Sequence, residues 1–317
     1  MSQLIKSCRQ HKTTMRRKDF KMKKMLSLLL VSVLFLGTIF PVYADEEQNL
    51  IGDVDKKNEL VERVQNQNKG IRAKATISRD AKLDIIKAIS KGEAFYTESE
   101  LNNMGIYTLD TGLNSGYTPM SAPSDVSMTN VSCYYFNDSD EWVLNGTGKW
   151  QNDNWQDNLV MDTTTGYKKN VGNNDYLGIT LYDTGTAPYR LDLKSSSHAW
   201  VEDKLGKLSS LNLRTPSNYN VEDGVVYEFQ DVFSWERGLT GFKNPNYLGY
   251  KFGVIAVYNG AFKDYSGKAK LFYGHTWKLG EITGISLGIE SDSIGMEVDY
   301  SVSENCFFGF STSACYY

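Results

Sequence analysis

The sequence predicts a mainly β protein, an antiparallel β-sandwich or jelly-roll-like domain preceded by a short helical N-terminal region. Two observations predict this fold class. From about residue 127 onward, apolar and polar residues alternate with a period of two, which is typical of strands that bury one face. Before residue 110, apolar residues instead follow helical spacing, with capping and stop residues at the ends. We therefore expect a signal peptide at 1–44, a helical leader and linker at 45–125, and a β-sandwich domain at 126–317.

The first 44 residues have the tripartite pattern of a secretory signal peptide. Basic residues at 21–24 precede an apolar run at 26–40, and a segment ending in Ala44 follows before the chain turns acidic. A membrane anchor is the alternative, but the run is shorter than the roughly 20 residues that a bilayer crossing needs. Residues 1–21 fit an upstream extension that leaves with the signal. The sequence thus predicts cleavage after Ala44 and a secreted, extracellular product with no stable membrane anchor.

The charge that remains after cleavage excludes one class of partner. The full chain has 34 Lys and Arg against 38 Asp and Glu, and residues 1–44 hold nine of the basic residues and one acidic residue. The remainder has 25 basic and 37 acidic residues, which gives a net charge near −12. Nucleic acids attract proteins with clustered Lys and Arg. We therefore expect no nucleic-acid partner.

Three cysteines remain after cleavage, in a compartment where disulfides persist. Cys306 and Cys315 lie close in sequence and are separated by Gly309 and a Ser-Thr-Ser run, so we predict a disulfide between them that pins the last strand. Cys133 is then left as a free thiol. A reactive role for Cys133 would need a basic partner that stabilises the thiolate, and the neighbouring sequence offers none.

Two short helices are predicted before the linker. Ser78 is placed to cap the first, and Gly92 to end it. Thr97 and Glu100 have capping-box spacing ahead of the second, which Gly105 ends. The charged stretch before these helices is predicted to be a marginal helix or a flexible leader.

Strand-like alternation recurs through the C-terminal domain. The last four segments follow one another with turns between them, which favours an antiparallel meander. Together the segments supply enough strands for two packed sheets. They are 142–150, 176–182, 189–193, 225–235, 250–258, 269–277, 285–289, 294–302 and 306–310.

No motif in the sequence names a reaction, and no catalytic residue is assigned. The segment 284–288 fits G-x-S-x-G, but Ser286 lies in a strand that another strand follows, and no histidine comes after His275, so a nucleophile elbow is not expected. Glu297 and Asp299 fall on the polar face of neighbouring strands, where paired carboxylates could serve glycoside cleavage. Solvated carboxylates are the ordinary alternative. His275 is either a hydrogen-bonded structural residue or a single base.

Aromatic residues within amide-rich stretches favour a binding role. Trp142, Trp150 and Trp155 lie near many Asn, Asp and Gln residues, including Asp153 and Asp157. Flat rings stack on sugar rings while carboxylates bind hydroxyl groups, so these five residues are the candidate glycan-binding set. The alternative is that the tryptophans are buried and the polar residues form turns.

Calcium is the one cofactor that the sequence suggests. Asp138, Asp140, Asp153 and Asp157 offer the oxygen ligands that Ca²⁺ prefers, although they do not have EF-hand spacing. Other cofactors are not expected.

The sequence thus favours a secreted, noncatalytic protein that recognises cell-wall or other glycans, or another cell-surface ligand. One alternative is a secreted glycoside hydrolase that uses the sheet-face carboxylates. Another is a secreted β-rich toxin or antimicrobial protein that inserts a β-hairpin into target membranes. Residues 268–302 have the alternation that such a hairpin requires, but their aromatic content favours a fixed core.

Overall fold

The computed structural model shows a chain that is mostly β, with antiparallel sheets and few helices, which confirms the mainly β class. Residues Leu50–Tyr317 form one unit by their internal contacts. Among the described residues, no helix combines the length and the apolar character that a bilayer crossing requires. The structure describes residues 46–68, 77–109, 125–153, 167–182, 184–185, 190–211, 223–237, 243–276, 282–287, 296–300, 306–311 and 314–317.

Three helices precede the sheets, namely α1 (Glu46–Asn68), α2 (Arg79–Ser90) and α3 (Glu98–Asn103). The predicted caps of α2 and α3 are confirmed. The Ser78 hydroxyl accepts a hydrogen bond from the backbone N–H of Ala81 at 3.2 Å, and Thr97 and Glu100 form a capping box. Gly105 follows α3 with a φ of +73°, a conformation that a Cβ atom would strain.

The described strands form three antiparallel sheets. The strands are β1 (Ile106–Thr108), β2 (Val126–Met128), β3 (Ser132–Phe136), β4 (Glu141–Trp150), β5 (Lys168–Asn170), β6 (Asp175–Tyr182), β7 (His198–Asp203), β8 (Leu208–Leu211), β9 (Gly224–Phe229), β10 (Val232–Arg237), β11 (Lys243–Asn259), β12 (Lys268–Thr276), β13 (Ile282–Leu287), β14 (Met296–Tyr300), β15 (Cys306–Phe310) and β16 (Cys315–Tyr316). In the nine-stranded sheet the order is β1-β3-β4-β11-β10-β5, with β2 beside β4 and the pair β7-β8 beside β11. The five-stranded sheet has the order β15-β12-β6-β9 with β16 beside β12, and β13 pairs with β14.

Strand β11 is buried on both faces over residues 252–258. On one face Phe252 stacks on Tyr273 of β12, with ring centroids 4.4 Å apart, so the two larger sheets share one core. On the other face Ile255 and Val257 pack in a second cluster with Ile86 of α2. The expectation of one buried face is therefore wrong for β11, because helix α2 covers the side that the alternation left to solvent.

The second half of α1 contributes to the main core. Lys57 has no exposed surface, and its ammonium group donates hydrogen bonds to the carbonyl oxygens of Phe262, at 3.0 Å, and Tyr265. The same ammonium group lies 5.2 Å from the centroid of the Tyr317 ring, where a cation–π attraction operates. Three apolar residues of α1 enter this core, namely Leu60, Val61 and Val64.

Two predictions about strand order are wrong. Strand β12 pairs with β15 rather than with the next strand along the chain, so the last four strands do not form a meander. Strands β13 and β14 lie between β12 and β15 in sequence and pair with each other. The segment 225–235 is two strands, β9 and β10, which belong to different sheets and are separated by Gln230 and Asp231.

Candidate functional site

Three buried polar residues meet between the two larger sheets. Asp175 is the first residue of β6, and His275 is near the end of β12, both in the five-stranded sheet. Asp231 lies in the break where the chain passes from β9 to β10. All three side chains have no exposed surface. We call these three residues the buried cluster.

The imidazole of His275 faces both carboxyl groups. Its Nδ1 atom lies 3.0 Å from Asp175 Oδ2, 3.2 Å from Asp175 Oδ1 and 3.6 Å from Asp231 Oδ2. The rings of Trp150 and Phe307 pack against the imidazole, with centroid distances of 5.2 and 5.3 Å. The cluster is thus a polar centre enclosed by aromatic side chains.

Two tyrosines and one backbone amide hold the carboxyl groups in place. The hydroxyl of Tyr273 donates to Asp175 Oδ2 at 2.7 Å, and the hydroxyl of Tyr247 donates to Asp231 Oδ2 at 2.7 Å. The backbone N–H of Thr276 donates to Asp175 Oδ1 at 2.9 Å. Asp175, Tyr273 and Thr276 all belong to the five-stranded sheet, whereas Tyr247 lies on β11 of the nine-stranded sheet. The Tyr247 hydroxyl also lies 3.4 Å from His275 Nδ1 of β12, so this tyrosine connects the two sheets.

Burial controls the ionisation of the groups around the cluster. It raises the pKa of Asp231 well above the usual value, and the nearby charge of Asp175 adds to this effect. Burial also raises the pKa of the Tyr247 and Tyr273 hydroxyls, so both phenols keep their protons and act as donors. Two carboxyl groups in this environment require a shared positive charge or a proton between them.

The buried cluster has the donor atoms of a cation site. One ligand atom from each of Asp175, Asp231 and His275 can be chosen so that all three lie within 4.8 Å of one another. Because the side chains have no exposed surface, a polymeric substrate cannot reach them in this conformation. The arrangement therefore favours ion binding or structural support over catalysis on a glycan.

Sequence reasoning singled out His275 and missed both of its carboxylate partners. The signal was nevertheless present, because each member of the cluster stands where the alternation of its segment calls for an apolar residue. A polar residue at a core position of a strand needs a buried hydrogen-bond partner. The equivalent core positions next to them are Leu177 for Asp175, Phe229 and Phe233 for Asp231, and Tyr273 for His275.

The candidate glycan-binding tryptophans that the structure describes are core residues. Trp142 has no exposed surface, and Trp150 is 2% exposed and packs on His275. A ring buried to this degree cannot stack on a sugar that arrives from solvent, so the structure corrects both assignments. Trp155 and Asp157 lie outside the described residues.

The aspartates proposed for calcium have other partners. Asp138 pairs with the buried ammonium group of Lys82, and the exposed Asp153 pairs with Lys204 at 2.6 Å. Asp140 accepts a hydrogen bond from a tyrosine hydroxyl at 3.1 Å. Within the described part of the chain, these aspartates do not form a group of three ligands, so the calcium assignment finds no support there.

The two C-terminal cysteines lie on β15 and β16, which pair with opposite ends of β12. Cys306 is opposite Thr276, and Cys315 is opposite Ala269. Seven positions along a strand span about 23 Å, whereas a disulfide needs Cα atoms within about 7 Å. The predicted Cys306–Cys315 bridge is therefore wrong for this register. Cys133 is a buried free thiol, and burial raises its pKa to about 12, so it is almost entirely protonated at neutral pH.

The candidate carboxylates Glu297 and Asp299 lie on the hairpin formed by β13 and β14. Glu297 is opposite Ser286, and Asp299 is opposite Gly284, so the backbone register places these four residues on one face of the hairpin. Ser286 lies inside a strand that pairs with the following strand. The G-x-S-x-G segment is therefore not the strand-to-helix turn of a nucleophile elbow.

Exposed apolar side chains mark a second region of interest. The loop between α2 and α3 carries an adjacent pair of exposed aromatic residues, and the β7–β8 hairpin carries two exposed leucines. An ion pair between Lys91 and Glu202, with an N–O distance of 2.9 Å, joins the end of α2 to β7. Among the described residues, the large exposed apolar side chains are Phe95 (92% exposed), Tyr96 (40%), Leu205 (59%) and Leu208 (43%).

Comparison with known proteins gives no family. No protein-family model matches the chain, and no curated protein is similar to it in sequence. One similar solved structure is described as "AvmM Catalyzes Macrocyclization in Alchivemycin A Biosynthesis", with 9% identity, coverage of 54% of this chain and 80% of that chain, and a TM-score of 0.18. Another is described as "Pore forming protein", with 9% identity, coverage of 67% and 89%, and a TM-score of 0.16. TM-scores this low do not indicate a shared fold, so neither assigns a fold or a function.

We predict that Trp150→Ala destabilises the protein rather than removing a ligand contact. Loss of a buried indole should lower the free energy of unfolding by about 3–5 kcal/mol, whereas Tyr96→Ala at an exposed position should change it by no more than about 0.5 kcal/mol. Urea unfolding followed by tryptophan fluorescence and circular dichroism measures both. Equal midpoints for wild type and Trp150→Ala would show that the indole is not a core residue.

Proposed function

We propose that this chain is a secreted β-sandwich protein that acts on target membranes by inserting the β13–β14 hairpin. The observation that carries the proposal is the pairing of β12 with β15, which leaves β13 and β14 paired only with each other among the described strands. A two-stranded hairpin is marginally stable in water without further packing. The hairpin therefore needs a partner surface, and its sequence indicates which one. We call residues 282–302 the hairpin segment.

The register of β13 and β14 separates their residues by polarity. An irregularity between Ile282 and Gly284 keeps Ile282 on the same face as the apolar residues that follow. Pairs on the other face join a small residue to an acidic residue, Gly284 with Asp299 and Ser286 with Glu297. The apolar pairs are Ile282 with Tyr300, Ile285 with Val298 and Leu287 with Met296.

The length of the hairpin segment suits a bilayer. The alternation continues in the sequence through residues 282–290 and 294–302, nine residues in each arm, with the polar stretch 291–293 between them. A membrane-crossing strand needs about 9 to 11 residues, with an apolar face toward lipid and a small or polar face toward water. Both requirements are met, and the acidic residues favour a cation-selective passage.

Two of the four aromatic residues that argued against this function belong to another strand, and a third, Trp277, precedes the hairpin segment in sequence. Phe272 and Tyr273 lie on β12, which is part of the five-stranded sheet, whereas Tyr300 is the one aromatic residue of the hairpin segment. The objection therefore applies to the fixed core and not to the hairpin. Because backbone groups in lipid must be paired, the unpaired edges of β13 and β14 would have to join those of other copies, so we expect several copies to assemble.

Dye release from lipid vesicles tests this function with a pair of variants. Val298→Arg places a charge on the apolar face, which costs about 2–4 kcal/mol at the middle of a bilayer. Release from phosphatidylcholine–cholesterol or phosphatidylglycerol–phosphatidylethanolamine vesicles should fall at least about tenfold. Glu297→Arg introduces the same side chain one position away on the polar face, so it should retain release and shift selectivity from cations toward anions.

Two results of this experiment would contradict the proposal or the assignment of the hairpin faces. A wild-type protein that releases no dye from either vesicle type would contradict the proposal. Equal loss in Val298→Arg and Glu297→Arg, with both proteins folded by circular dichroism, would contradict the assignment of the two faces.

A second candidate function is noncatalytic recognition of cell-surface glycans, carried by the exposed pair Phe95 and Tyr96. Their rings are available to solvent, unlike those of Trp142 and Trp150, and Glu98 lies close by in sequence as a hydroxyl acceptor. Stacking of a sugar on an exposed ring follows the same physics as that proposed for the tryptophans.

Retention on insoluble cell walls and polysaccharides tests the glycan function. Loss of one stacking ring at about 1–1.5 kcal/mol should weaken retention of Phe95→Ala roughly five- to tenfold. Leu205→Ala removes an exposed side chain without a ring and should retain binding. Equal loss in both variants would indicate a general apolar surface instead. Release of reducing ends that Glu297→Gln abolishes would favour the hydrolase.

A further inference from the structure

We propose that the buried cluster binds one divalent transition-metal ion, of which Zn²⁺ is the model, through Asp175, Asp231 and His275. The inference is independent of the proposed membrane function. It rests on the geometry of three donor atoms from different elements, on their complete burial and on the charge that they bring into the core.

The donor atoms have the spacing of a coordination shell. Bonds of about 2.0–2.2 Å to a tetrahedral ion place neighbouring ligand atoms about 3.3–3.6 Å apart. His275 Nδ1 lies 3.0 Å from Asp175 Oδ2 and 3.6 Å from Asp231 Oδ2. The hydroxyl oxygen of Tyr247 lies 3.4 Å from the same nitrogen and 2.7 Å from Asp231 Oδ2, so it is a fourth polar atom beside the three donor atoms. Small side-chain shifts would centre an ion among them.

When both carboxyl groups are ionised, the charge of the cluster suits a cation. Two carboxyl groups lie in the core without exposure, and among the described residues their ion-pair partner is His275. One imidazole carries at most one positive charge and has one Nδ1 atom to share between two carboxylates. A divalent ion balances both carboxylates at once and leaves no net charge in the core, which removes most of the cost of burying them.

The neighbours of the cluster resemble the outer ligands of a metal centre. Ligating carboxylates in metal sites are oriented by further hydrogen bonds, and these bonds affect affinity. Asp175 accepts such bonds from the Tyr273 hydroxyl and from the backbone N–H of Thr276, and Asp231 accepts one from Tyr247. Each carboxylate therefore keeps its orientation before an ion binds.

The ligand set distinguishes between types of ion. Ca²⁺ takes six to eight oxygen ligands, and a closed cluster with one nitrogen does not provide them. Imidazole together with carboxylates suits Zn²⁺ and its first-row neighbours. We therefore expect Zn²⁺ to bind in preference to Ca²⁺.

The site lies at the base of the hairpin. Thr276, next to His275, is the last residue of β12 and is opposite Cys306, the first residue of β15. The chain leaves the five-stranded sheet at one of these residues and returns at the other. A bound ion would thus fasten the point from which the hairpin departs.

Metal content and thermal stability test the proposal on tag-free secreted protein that has been stripped with EDTA. After incubation with Zn²⁺ and desalting, mass spectrometry should find close to one zinc ion per chain. The melting temperature should rise with Zn²⁺ concentration and not with the same concentrations of Ca²⁺, because an ion that binds the folded state stabilises it. Replacement of Zn²⁺ by Co²⁺ should give visible absorption bands of a low-symmetry site.

Matched variants then locate the ion. Asp231→Asn keeps the shape of the side chain and removes its charge, so we expect a folded protein whose Zn²⁺ affinity is at least about 100-fold lower. Asp153→Asn makes the same change at an exposed carboxylate and should bind like the wild type. Should Asp231→Asn fail to fold, His275→Gln serves as the second variant, and loss of the visible Co²⁺ absorption in that variant would identify His275 as a ligand. Absence of retained zinc in the wild type, or equal affinity in wild type and Asp231→Asn, would overturn the proposal.

Discussion

The pairing of β12 with β15 is the constraint on which the C-terminal half of the structure depends. β6 pairs along one edge of β12, and β15 and β16 occupy the other, so both edges of this strand are taken. Between β12 and β15 in sequence, the described strands are β13 and β14, and they belong to a separate two-stranded sheet. Among the described strands each pairs only with the other, and their alternation gives them an apolar face. Such a hairpin, in a chain that also has a well-packed core, is the basis of the proposed action on membranes.

Both proposals concern the region at the end of β12, and each rests on different observations. The hairpin proposal depends on backbone register and on alternation in the sequence, whereas the metal proposal depends on side-chain geometry around His275. Tyr247 and Phe252 of β11 both belong to the main core, although their positions have opposite parity. Between them lies an irregular stretch of β11, where the pairing with β7 shifts between Leu248 and Lys251 and Gly249 has a φ of +106°.

Local features of the fold could be predicted from the sequence, and pairing could not. The caps at Ser78 and Thr97 involve residues three positions apart, and strand alternation is equally local, so both are visible in the sequence. The partner of β12 lies some 30 positions along the chain, and nothing in the alternation of 306–310 distinguishes it from that of 285–289. The same limit explains why the sequence wrongly indicates Trp142 and Trp150 as ligand contacts. Their polar neighbours in sequence do not show that helix α2 and a second sheet cover both faces of β4 and β11.

Site-directed labels along β14 test the central claim, that the hairpin segment enters membranes with two distinct faces. Cys306 and Cys315 would be replaced by serine, and the buried Cys133, with a pKa of about 12, would not react. Single cysteines at positions 296 to 301 would carry an environment-sensitive fluorophore. On addition of vesicles, labels at 296, 298 and 300 should move to an apolar environment and be quenched from within the lipid, while labels at 297, 299 and 301 remain accessible to an aqueous quencher. Emission that stays the same at all six positions, or changes without a period of two, would contradict the account.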